Sequence, residues 1–128
     1  MQLETRHAFA IGRSLMALIF LVAGVRKALT YAATAAYFAK LGIPAPEIVL
    51  ALTIVLEIGG AVALIIGWRL PLVAGALGLF TIAAAFLGHA FWAVDPAQFQ
   101  AQLNNFLKNV AMAGGFLVVA AAARKEVV

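Results

Sequence analysis

Residues 46–89 read PEIVLALTIVLEIGGAVALIIGWRLPLVAGALGLFTIAAAFLGH. Two apolar runs lie back to back here, parted by Gly67-Trp68-Arg69-Leu70-Pro71. Each run matches the ~20 apolar residues that a membrane-crossing helix needs. The short break, with its tryptophan, suits a tight turn at the membrane surface. The stretch therefore predicts a helical hairpin spanning a bilayer.

On either side of the hairpin two more runs qualify: Phe9 to Leu29, around LMALIFLVAGV, and Leu103 to Ala123. The expected spans are thus about 9–29, 46–67, 71–89 and 103–123, in one integral membrane domain over residues 1–128. The fold class is an all-α membrane protein, a bundle of four transmembrane helices. Between the first two spans, Tyr31, Tyr37, Phe38 and Lys40 suit a short helix lying in the interface, ended by Pro44 and Pro46. Asp95-Pro96-Ala97-Gln98 reads as a helix start, so the last helix is expected to begin at Pro96, ahead of its apolar part. Arg6 and Arg13 ahead of an apolar core imitate a secretory signal. Arg26 and Lys27 occupy the place of its cleavage region, and the first span is read as retained.

The composition agrees. Of 128 residues, 66% are hydrophobic and 11% charged, against roughly 45–50% and 25% in soluble domains. So small a soluble chain could not cover its surface with polar groups. The absence of cysteine excludes iron–sulfur clusters, thiolate nucleophiles and disulfide relays. The net charge of +4 comes from basic residues scattered at helix ends, with no basic stripe. That pattern fits the positive-inside rule and a lipid bilayer as partner, not nucleic acid. With both termini cytoplasmic, the inner segments carry Arg6, Arg69, Arg124 and Lys125, with Arg13 close by. The outer ones carry Lys40, with Arg26 and Lys27 near the boundary. The bias favours both termini inside. Small residues at four-residue spacing (Gly59, Ala63 and Gly67; Ala74 and Gly78; Ala111 and Gly115) are expected to form helix-packing faces.

Ionisable side chains within spans are expensive, so those present need a reason. The candidates for a buried polar site are Arg13, Lys27, Glu57, His89, Lys108 and Asn109. Glu57 falls near the midplane. Side chains lean toward their helix's N-terminus, so Glu57 and Lys27, on oppositely directed helices, lean toward each other. Lys27 is the expected partner. Arg13, Ala17, Phe20, Gly24 and Lys27 share one helix face, and Asn105, Lys108, Asn109 and Met112 share another; both are expected to point inward. Glu57 serves either as half of a structural ion pair, as a neutral buried acid, or as a proton-transfer or ligand-binding group. His89 suits either an interfacial position beside Phe91 and Trp92 or a ligand role. Arg13 and Lys108 could instead snorkel. The two histidines, His7 and His89, fall on opposite sides in this topology, so no shared zinc or haem site is expected.

Gly12-Arg13-Ser14-Leu15-Met16-Ala17-Leu18-Ile19-Phe20 with Gly24 and Lys27 resembles the opening of the DoxX family of small membrane proteins. So do Leu41-Gly42-Ile43-Pro44, Leu56-Glu57-Ile58-Gly59-Gly60, Phe86-Leu87-Gly88-His89 and Phe106-Leu107-Lys108-Asn109. Ala23 stands where the family usually has serine. The resemblance implies a four-helix protein of a bacterial or archaeal cytoplasmic (inner) membrane. The family takes its name from a subunit of an archaeal thiosulfate:quinone oxidoreductase. It thus implies association with a membrane oxidoreductase, through quinone binding or by anchoring a redox partner. No cofactor is expected on this chain alone, a quinone being the ligand class left open, and protein partners in a membrane complex are expected. The competing expectation is a non-enzymatic assembly or scaffold subunit. A small-molecule carrier fits less well, for want of internal repeats and broken helices.

Overall fold

Every apolar run becomes helix. The computed structural model describes residues 1–125, with no strand among them. The helices are α1 (Gln2–Leu29), α2 (Tyr31–Lys40), α3 (Pro46–Ile66), α4 (Leu70–Gly88) and α5 (Pro96–Lys125), with a 3-10 turn at Phe91–Ala93. Among the described residues, four helices are long and apolar enough to cross a membrane, and α2 is the short helix between the first two of them. The protein is an all-α membrane protein. α1 has 28 residues and α5 has 30. At ~1.5 Å per residue both outrun the ~30 Å hydrocarbon core. Hydropathy alone places their starts near residues 9 and 103; as helices they begin earlier, because the polar first turns are helical too.

The breaks have local causes. A single non-helical residue, Thr30, separates α1 from α2; its N–H and hydroxyl both donate to the Arg26 carbonyl, at 3.0 and 2.9 Å. Gly42, with φ +78°, turns the chain after α2, and Pro46 opens α3. Gly67 ends α3 in the left-handed conformation (φ +81°), its N–H donating to the Ala63 carbonyl at 2.9 Å, the usual role of glycine at a helix end. α5 begins at Pro96 as expected, with the Gln98 N–H on the Asp95 carbonyl at 2.9 Å.

The chain divides into two compact units, Met1–Val73 and Ala74–Val128. In the first, α1 and α3 run antiparallel: Arg13 meets Leu64, Gly24 meets Ile58 and Lys27 meets Glu57. Ala17, Phe20 and Gly24 form the buried face of α1, on the predicted stripe. Gly24 sets the approach. A Cβ there would stand 2.6 Å from Ile58 Cγ1 and 3.2 Å from Glu57 Cβ. α2 is tied to α3 by the Tyr31 hydroxyl, which donates to the Glu47 carbonyl.

In the second unit, α4 and α5 are also antiparallel. Gly78 faces Phe116, Thr81 faces Asn109, Phe86 faces Phe106 and His89 faces Gln102. The small-residue faces need correction. Gly59 is exposed with nothing near it, and the buried glycine of α3 is Gly60, one residue on. Ala111 is likewise exposed. Gly78 does serve as a contact, its Cβ position 3.4 Å from Phe116 Cβ.

Candidate functional site

In the first unit the deepest polar contact is the one the opposed leanings predict. Lys27 Nζ donates to Glu57 Oε1 at 2.7 Å, with side-chain exposures of 25% for Lys27 and 3% for Glu57. The second carboxylate oxygen, Oε2, is buried and has no hydrogen-bond partner. Thr53, one turn away, does not serve it, because its hydroxyl returns to the Val49 carbonyl at 2.8 Å. The pair joins mid-α3 to the end of α1. In low dielectric such a charge-assisted bond is strong, and leaving either partner alone is costly.

Arg13 stands apart from that pair. Its Nε donates to the Leu64 carbonyl at 2.7 Å, and one terminal nitrogen reaches the Ile65 carbonyl at 3.4 Å. These carbonyls belong to the last turn of α3, where no intrahelical donor remains. The guanidinium also lies 5.6 Å from the Phe9 ring centre. A Cβ on Gly67 would meet it at 3.0 Å, so glycine suits that position twice over. Leu64 is seven residues beyond Glu57, ~10 Å along the helix. Arg13 is thus a C-terminal cap supplied by another helix, complementing the negative end of the α3 dipole.

The second unit joins its helices through an imidazole, side-chain amides and aromatic rings. His89 Nδ1 and Gln102 Oε1 are 2.9 Å apart. Around them is a set of rings in which Phe91 touches Trp92, Phe99 and Phe106 at centroid distances of 5.0, 5.9 and 5.2 Å. Phe86 joins through Phe106 and Trp92, at 5.2 and 5.9 Å. Most pairs meet edge to face, the preferred geometry for aromatic quadrupoles. Deeper along α4, Asn109 Nδ2 donates to the Thr81 carbonyl at 3.3 Å, while the Thr81 hydroxyl returns to Leu77. Asn109 therefore serves a level of α4 two turns from His89. Lys108 does not follow the expected inward face: it is exposed, while Asn105 and Asn109 are half-buried. It sits at the edge of the stripe that Phe116, Val119 and Ala123 continue.

Among the described residues, no group of three or more His, Asp or Glu side chains is placed to hold a metal ion. Sequence reasoning missed two partners. Gln102 shares the spacing of Asn105 and Asn109 on α5, which could have flagged it. The backbone carbonyls that Arg13 caps leave no mark in side-chain spacing.

The DoxX family model matches residues 8–90. The chain belongs to the DoxX family. Two inner membrane proteins of Escherichia coli K12 are similar to this DoxX chain over 110 residues: YqjF at 34% identity and YphA at 31%. Each alignment covers 86% of this chain and 79% of the relative. No solved structure matches it. The family match holds Arg13, Lys27, Glu57 and His89; it stops short of Lys108 and Asn109, on α5.

Proposed function

We propose that this DoxX chain is a non-catalytic integral subunit of an inner-membrane oxidoreductase assembly, anchoring a redox partner in the bilayer. The observation that carries this reading is the use made of the intramembrane polar groups. Glu57, 2% exposed, is fastened to α1 by Lys27, and Arg13 caps α3. Such contacts hold helices together, and the Glu57 and Arg13 side chains are both engaged in them. The redox association comes from the family, and the inner membrane from the relatives.

On this reading both termini lie on the cytoplasmic side. With Lys27 neutralised by Glu57, the outer basic groups reduce to Arg26 and Lys40, against Arg6, Arg13, Arg69, Arg124 and Lys125 inside. The natural chain has no cysteine, so single cysteines report cleanly. In intact cells, Gln2→Cys and Gln98→Cys should label on opposite sides, Gln98→Cys from outside; outside labelling of Gln2→Cys overturns the orientation. The anchoring role predicts that the chain, taken from membranes in mild detergent, comes out with an oxidoreductase subunit. Recovery of the chain alone overturns it.

A second reading, a contribution to quinone binding, is favoured by His89 and the ring cluster beside it. His89 and Gln102 supply polar atoms and the rings supply apolar faces, the mixture such ligands need. When bound, a quinone would supply the two-electron chemistry; the chain's part is to hold and orient the ring.

A further inference from the structure

We infer that the His89 end of the second unit binds a membrane-dissolved aromatic alcohol, with His89 Nε2 accepting its hydroxyl hydrogen. The inference rests on the quinone-side reading above and narrows it to one atom and one form of ligand. The Gln102 amide is turned with its oxygen toward the ring, and that oxygen only accepts, so Nδ1 of the neutral imidazole donates across the 2.9 Å contact. Nε2 is then left with a lone pair and no hydrogen. The site thus selects a donor, a phenol or hydroquinone, over a ligand that offers only acceptors.

The rings define the rest of the ligand. Phe86, Trp92 and Phe99 lie in the same cluster yet remain 55%, 56% and 43% exposed. They offer faces and edges to another flat ring. The position of His89 supports the same assignment. It stands where α4 gives way to the 3-10 turn, its N–H on the Ala85 carbonyl at 3.1 Å and its carbonyl taking the Phe91 N–H at 2.9 Å. The imidazole is therefore anchored at both backbone and Nδ1, with Trp92 three residues along. A ligand here would have its polar end at the helix terminus and its tail in the lipid.

Tryptophan fluorescence tests this, because the chain has only Trp68 and Trp92. Full-length chain carrying Trp68→Phe, in lipid nanodiscs, is titrated with a bromine-substituted alkylphenol and with its methyl ether. The bromine quenches Trp92 on contact. The phenol should quench saturably and bind about tenfold tighter than the ether, the effect of one hydrogen bond. His89→Phe should remove that difference. Gln102→Leu, which frees the imidazole to carry its hydrogen on Nε2, should shrink it. Saturable quenching that is equal for phenol and ether overturns the Nε2 assignment and leaves a quinone-side ring site standing. Quenching of Trp92 that only rises in proportion to ligand, as for Trp68 in a Trp92→Phe chain, overturns both.

Discussion

The two units hold their helices together by different means. In Met1–Val73 the contacts between α1 and α3 are made by charges: an ammonium on a carboxylate and a guanidinium on backbone carbonyls. In Ala74–Val128 the contacts between α4 and α5 are an imidazole on an amide, an amide on a carbonyl, and ring edges on ring faces. A charge-based joint concentrates its strength in one or two residues. A joint of rings and amides spreads it over many. The first should fail sharply when a single group is removed, and the second should degrade by small steps.

The largest effect should come from the ion pair. Glu57→Leu and Lys27→Leu, each alone, are expected to lower stability by ~3–5 kcal/mol, whereas the double change is much milder. Thermal unfolding in detergent decides. A double variant as damaged as the two singles together would show that the residues act independently. Next comes the close approach beside that pair. Gly24→Ala is expected to lose ~1–3 kcal/mol, since its Cβ lands on Ile58. Adding Ile58→Ala should recover part of the loss, and a double variant no better than Gly24→Ala would show that the clash lies with Glu57 instead. The smallest effect belongs to the second unit. Asn109→Leu is expected to lose only ~0.6 kcal/mol, the average for hydrogen bonds between membrane helices. A loss matching that of Lys27→Leu would erase the distinction between the two joints.

Much of this was legible in the amino acids, and the rest was not, for identifiable reasons. Span positions follow from hydropathy, and the partner of Glu57 follows from the tilt of Cα–Cβ bonds. Both depend only on chain geometry. The role of Arg13 depends on where the last turn of α3 comes to rest beside α1, which no residue pattern encodes. Lys108 shows the limit of face counting: one residue turns a helix by 100°, so a position at the edge of a stripe falls on either side. Gly59 and Gly60 make the same point, since the four-residue spacing picks Gly59 and the buried glycine is Gly60, one residue on. The Gln102–His89 contact required knowing how the chain turns between α4 and α5.

The joint between α1 and α3 also imposes an order of events in time. Lys27 and Glu57 are 30 residues apart in the chain. At the ~5–20 residues per second of ribosomal synthesis, α1 is made about 2–6 s before the acid exists. During that interval α1 carries an unpaired cation near the end of its span, and Arg13, whose carbonyl partner lies 51 residues on, waits longer still. Neither α1 nor α3 can complete its contacts alone. The contacts of α1 close only once α3 has been made, and the short α2 is the covalent link between the two. The same two charges that lock the finished protein therefore make its first helix an incomplete product, held in waiting at the membrane.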